Sequence, residues 1–501
     1  MAVFLSVSAE DPMLIRDLIR SVDLGNSVAE FDQDLEQFFV ETEPFRALIQ
    51  NRADVIAGDK GTGKTALYRI LKKRYPSIPE LANVEVVTGF NPTGNPVFQR
   101  LAQQGILTEG QYATVWKAYI LSLVGNWLLD LFEDELTAKM RELEDLLSRT
   151  GLRTRDDSPS TVFSKIANAI GRFFAPSAVE VGMTVSETGL PILTPRLEFD
   201  STEQRTEPSV EPIPHEDALA VLNGALEDAG IDAWVVLDRL DEAFQGFPDT
   251  EVPALRALLR TYLDLLAFEH VRLKLFVRRD LFRKITQGGF VNLTHVNARK
   301  IEIVWEEEDL LNLLCRRLRE NREFVDALNG AEAADEELFG LVFPEKVDDA
   351  ERKPTTWRWI MARIRDGNDV RPPRNLIDLV GKAREAQLRR EDRETREFTS
   401  GQPIIESDSL KRALSRLSAE RVEDTLLAEA GENAATIERF RGGKAEHNDA
   451  SLALQLGVEV SEVRGLVKPL VELGFLEQVG ESYKVPILYR DGLEITQGKA
   501  F

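Results

Sequence analysis

The stretch Gly58-Asp59-Lys60-Gly61-Thr62-Gly63-Lys64-Thr65 constrains this chain more than any other. It reads glycine, four residues, then Gly-Lys-Thr. It lies between the apolar run Asp54–Ala57 and the helical pattern ALYRIL. Glycines let the backbone curl so that several N–H groups converge on one point, and the following helix turns its positive end toward the same place. Such a loop is built for phosphate, with Gly58, Asp59, Lys60, Gly61, Thr62, Gly63, Lys64, Thr65 and Ala66 as the candidate binding residues. Lys64 can reach outer phosphates, and the Thr65 hydroxyl can bind Mg2+. A glycine-rich turn without a ligand is the competing reading of the octapeptide alone. The strand before it and the helix after it are the context a phosphate loop requires.

The second half of such a site is an acid at the end of another central strand, and WVVLDRLDEAF at 234–244 supplies one. Asp238 ends an apolar run and is the expected Mg2+ carboxylate. Glu242 is the candidate for polarising an attacking water, with Asp241 competing for the role. VRRDLF at 277–282 follows a further apolar run. Arg278 or Arg279 can sense an outer phosphate there, or serve as a trans-acting arginine finger. A salt bridge to Asp280 or a nearby acid is the alternative. Arg299, just before the next strand, is a weaker finger candidate. In VRPPRNLIDLVGKA at 370–383, Pro372-Pro373 sets a helix start and puts Arg374 in the first turn. That arginine either touches phosphate from a helical lid or pairs structurally with a carboxylate.

The surrounding pattern predicts an α/β fold. Strands are expected at 54–57, 84–90, 233–238, 271–277 and 300–305, separated by helices. This gives a three-layer core with a five-stranded parallel sheet. The expected division is an N-terminal helical segment (1–50, with a short strand at Val3–Val7), the core (51–305) with an insertion at 91–215, a helical lid (306–430) and a C-terminal unit (431–501). Within the insertion, alternation around a Thr-Gly turn suggests a hairpin over 177–199, and 200–216 reads as a polar, proline-rich linker.

Composition narrows the function classes. The net charge of -23 disfavours non-specific attraction of the whole molecule to DNA or an anionic membrane. The most membrane-like stretch, AYILSLVGNWLLDLF at 118–132, is too short to span a bilayer and carries Asn126 and Asp130. The N-terminus lacks the basic start of a signal peptide. Cys315 is the single cysteine, which suits a reducing, cytoplasmic setting and a small buried side chain. The four histidines have no metal-ligand spacing.

The C-terminal stretch from 449 to 490 reads as helix, turn, helix and two short strands, and resembles a winged helix. Ser461 is expected to cap the second helix and Gly474 to stop it. Such units often place the second helix in the DNA major groove. Residues 432–501 carry 8 Lys and Arg against 11 Asp and Glu, so protein binding or packing competes with DNA binding. Residues 352–396 are more basic, with 13 against 7, but their signs alternate as on a solvated helix.

Taken together, GDKGTGKT, LDRLDE, VRRDLF and PPRNL resemble the AAA+ and STAND division of P-loop ATPases. The combination looks most like a bacterial P-loop ATPase family whose members are often encoded in mobile or phage-defence loci. DLGNSVAEFDQDLEQFFVET and IVWEEEDLLNLLCRRL are similar to that family as well. The resemblance implies ATP with Mg2+, homo-oligomer assembly or switching on ATP binding, and a possible role in antiviral defence. It departs at one place, where Arg278 and Arg279 stand in for the usual small polar sensor residue. No nuclease-type acid cluster or nucleophile triad is legible, so an effector would be a separate protein. A DNA-handling ATPase similar to origin-recognition and loader proteins is the alternative.

Overall fold

A computed structural model describes residues 13–89, 108–133, 135–154, 215–240 and 248–501. The expected strand at Val3–Val7, the hairpin at 177–199, most of the linker at 200–216, and Asp241 and Glu242 lie outside the described residues.

Five strands form one parallel sheet: β1 (Val55–Gly58), β2 (Val84–Thr88), β3 (Asp232–Leu237), β4 (Val271–Arg278) and β5 (Lys300–Glu302), in the order β2-β3-β4-β1-β5. Val55, Ile56 and Ala57 of β1 and Ala233 to Leu237 of β3 are almost fully buried. These runs are apolar on both faces because helices cover a parallel sheet on both sides. By compactness the chain divides into two units. One holds the described parts of 1–74 with 276–283 and 299–501; the other holds those of 75–275 with 284–298.

In the second unit, β3 pairs in parallel with β2 and β4, with Val84 opposite Asp232 and Ala233 opposite Val271. The apolar stretch of the insertion is the helix Glu109–Phe132, opened by a Thr108–Gln111 capping box. Its buried Trp116 donates Nε1–H to the Ala254 carbonyl at 2.9 Å. Asn126, also buried, donates to the carbonyls of Ser122 (2.7 Å) and Leu152 (2.9 Å) and accepts the Thr154 N–H (2.8 Å). A polar residue inside this apolar face is therefore satisfied by the chain's return past Gly151. Among the described residues, no helix is long and apolar enough to cross a membrane.

In the first unit, β1 and β5 pair in parallel, Val55 opposite Lys300. One apolar core runs from Ile15 to Ile495 and includes Cys315, which is fully buried. Burial pushes the Cys315 thiol up to about 12, the behaviour of a packing residue. The N-terminal segment is stitched in by a buried Arg317–Asp32 pair (2.8 Å), with Arg317 lying over the Phe38 ring.

The C-terminal part contains β6 (Lys444–His447), β7 (Glu477–Val479), β8 (Ser482–Lys484) and β9 (Thr496–Lys499), a sheet ordered β7-β8-β6-β9. Helices Asp449–Leu456 and Val460–Glu472 precede the antiparallel β7–β8 hairpin. The second helix is capped by Glu459, not Ser461 as expected. Glu459 and Glu462 form a reciprocal box, whereas three residues beyond Ser461 stands Arg464, which cannot return a carboxylate bond to the backbone N–H. Gly474 follows its end at φ +74°.

Candidate phosphate-binding site

The loop is built by backbone demands that only glycine meets. Gly61 sits at φ +75° and Gly63 at φ +100°, where a Cβ is strained. At Gly58 a Cβ would stand 2.6 Å from Thr62 Oγ1. The loop braces itself: Thr62, 2% exposed, donates its hydroxyl to the Asp59 carbonyl at 2.7 Å. Lys64 begins the helix Lys64–Arg74 and folds its ammonium back over the loop, donating to the carbonyls of Gly58 (2.9 Å) and Asp59 (3.0 Å). Thr65 and Ala66 follow in the first helical turn, at the positive end of the helix dipole.

Neighbouring segments close on this loop. Trp305, just past β5, donates Nε1–H to the Thr62 carbonyl at 2.8 Å. Pro372 and Arg374, at the start of the helix Pro373–Glu391, pack over Gly61: a Cβ placed there would lie 3.3 Å and 3.2 Å from their Cβ atoms. Among the described residues Arg374 has no carboxylate partner, and its Nε is buried without a hydrogen bond. Burial pulls its pKa below the usual arginine value, and the nearby Arg421 charge adds to the effect.

The arginines after β4 are in ion pairs. Arg278 grips Asp280 with two bonds, 3.0 Å and 2.8 Å, and reaches Glu429 at 3.3 Å. Arg279 lies 3.3 Å from Asp59 of the loop and 3.2 Å from Glu302 of β5. Burial raises the Asp59 carboxyl pKa, against the pull of Arg279 and Lys64. Lys60, an exposed residue of the loop, pairs with Glu429 as well. Arg299 is held by buried Asp54 and by the Asn51 carbonyl (2.7 Å).

Of the candidate residues, Gly58 to Ala66, Arg278, Arg279 and Arg374 therefore come together within the first unit. Asp238 belongs to the second unit, where it follows β3 directly and is 6% exposed. Three participants were not named from sequence. In the sequence Pro372 reads only as a helix start, Trp305 closes a run that reads as a strand, and Glu429 lies 369 residues from Lys60 with no local pattern pointing to it.

No protein-family model matches the chain, and no curated protein matches it. Among solved structures, the Aeropyrum pernix ORC1 protein in complex with DNA aligns over 94% of this chain and 96% of its own, at 13% identity and TM-score 0.37. The Aeropyrum pernix ORC2 protein in ADPNP–ADP complexes aligns over 92% and 96%, at 14% identity and TM-score 0.35. At these TM-scores neither carries an argument, and the fold stands on the geometry above.

Proposed function

We propose that this chain is a P-loop ATPase that binds ATP with Mg2+ and uses it as a nucleotide-dependent switch or assembly factor. The observation that carries this reading is the strand–loop–helix at Gly58–Thr65 with Arg374 seated over Gly61. Convergent amides and a helix N-terminus favour a polyphosphate, and a partly buried guanidinium without a carboxylate partner among the described residues suits a phosphate oxygen.

On the loop the metal would be held by the Thr65 hydroxyl, with phosphates and water in its shell, and would neutralise charge on the phosphates; Asp238 is its expected carboxylate from the motif alone. The fit rests on donor chemistry: a hydroxyl in the first helical turn after the loop, and a buried carboxylate directly after an apolar strand. The role of Asp238, and that of Glu242 or Asp241 in orienting water, rest on their motif. Arg278, Arg279 and Arg374 are the candidates for answering to the outer phosphate. Homo-oligomer assembly, a separate effector and a defence role follow from the sequence resemblance alone. Mass measurement in solution with and without a slowly hydrolysed ATP analogue tests assembly: a shift to a defined oligomer supports it, and an unchanged mass removes it.

A DNA-handling ATPase is the second reading, favoured by the two helices and hairpin at the C-terminus. The second helix presents Arg464 and Lys468 to solvent, but Glu472 beside them and Glu481 on the hairpin offset that charge. A DNA titration across salt separates the readings. Steep loss of affinity with salt supports DNA contact, and no binding at low salt excludes it.

A further inference from the structure

Glu429 is the residue of this site that no motif explains. It closes the segment after the helix Ser407–Glu420, where the backbone runs through a π-helical stretch, Arg421–Leu427. π-helical turns are rare and cluster at functional positions. Arg421, which opens this stretch, and Glu429, just beyond its last residue, both rest on residues around the phosphate loop. Arg421 donates to Asn375 Oδ1 at 2.7 Å and pairs with Asp378, both on the helix that carries Arg374. The Glu429 carboxylate pairs with Lys60 of the loop and with Arg278. Its side chain is 25% exposed, so these pairs are partly shielded from water.

We infer that Glu429 is an internal anion that competes with the nucleotide's phosphates for Lys60 and Arg278, and so sets the protein's affinity for phosphate. The inference rests on the ATP reading above. A carboxylate and a phosphate oxygen seek the same donors, so a triphosphate at the loop must share or displace Glu429. Displacement releases the chain just beyond the π-helical stretch while Arg421 still holds its start. The loop's occupancy thereby reaches the segment that leads into the C-terminal unit, through a change of ion-pair partner.

The experiment compares wild type, Glu429→Gln and the double variant Lys60→Met/Glu429→Gln. Magnesium ATP binding is measured by calorimetry at two salt concentrations, and amide exchange is followed over residues 421–430. Glu429→Gln keeps the side-chain shape. It is expected to raise ATP affinity roughly tenfold at low salt, less at high salt, and the double variant to lose that gain. In wild type, ATP is expected to raise exchange at 421–430; in Glu429→Gln, exchange is expected to be high before ATP is added. A purely structural role would lower the melting temperature and leave affinity and its salt slope unchanged, and that result overturns the inference. If wild type binds ATP but Glu429→Gln binds no better, the inference fails alone. If wild type binds no ATP, the function reading fails and takes this inference with it.

Discussion

Arg374 lies directly over Gly61: a Cβ on the glycine would come within 3.2 Å of the arginine Cβ, at a backbone φ of +75°. The helix Pro373–Glu391 thus meets the loop at a glycine, where no side chain stands in the way. Gly61→Ala is strained both by its dihedral and by this contact, so ATP affinity is expected to fall at least tenfold. Arg374→Ala breaks no ion pair among the described residues. The melting temperature is expected to shift by only a few degrees, while ATP affinity drops roughly tenfold, as for a lost charge-assisted bond. Calorimetry with thermal unfolding checks both; an Arg374→Ala protein that binds ATP as wild type does contradicts the phosphate role.

Trp305 offers a second handle on the loop. Trp305→Phe keeps the aromatic packing but removes the bond to the Thr62 carbonyl. It is expected to destabilise by about 1 kcal/mol and to weaken ATP binding several-fold through a looser loop. Unchanged affinity in a folded variant would show that the bond does not shape the site.

Gly367 tests how its segment packs against residues 474–476. Its N–H donates to the Gly474 carbonyl at 2.7 Å, and a Cβ would stand 2.7 Å from the backbone C and O of Leu476. Backbone cannot swing aside as a side chain can. Gly367→Ala is expected to cost about 2 kcal/mol or more in chemical denaturation, and a neutral result would mean the two segments are not packed as described.

Asp366 gives a pH dependence with a definite sign. Burial pushes its carboxyl up to about 6, against the bonds it accepts from the N–H groups of Val370 and Asn368 (both 2.9 Å), with the charge of Asp59 adding to the rise. An acid whose pKa is higher folded than unfolded favours the folded state at low pH. That contribution is lost as pH rises from the unfolded value, about 3.9, through about 6. The loss is at most about 3 kcal/mol, and less where water reaches the carboxylate. Urea unfolding at pH 4.5 and 7.5 is expected to show wild type losing stability relative to Asp366→Asn as pH rises. A constant difference between the two proteins contradicts the raised pKa.

Much of this site was legible before any coordinates. Gly61 and Gly63 announce positive φ, Lys64-Thr65 announces a helix start, and Pro372-Pro373 places Arg374, because each is a local backbone requirement written in adjacent residues. The β1 and β3 strands are legible for a similar reason: strands buried on both faces read as unbroken apolar runs. Arg278 offered two readings, and the structure shows the Asp280 ion pair that one of them named. The pairing of Arg279 with Asp59 and Glu302 was not legible, and neither was the Glu429 contact, because partners brought together by folding leave no spacing to read. The Glu459 cap was missed because serine is the commoner cap, although the Glu459–Glu462 reciprocity was present in the sequence.

The central claim is that the Gly58–Thr65 loop grips a triphosphate through its amides and Lys64. Calorimetric titration of wild type and Lys64→Ala with magnesium ATP tests it most directly. Wild type is expected to bind with one site per chain and Lys64→Ala to show no measurable heat of binding while keeping its melting temperature within a few degrees. Equal ATP affinity in the two proteins would contradict the account.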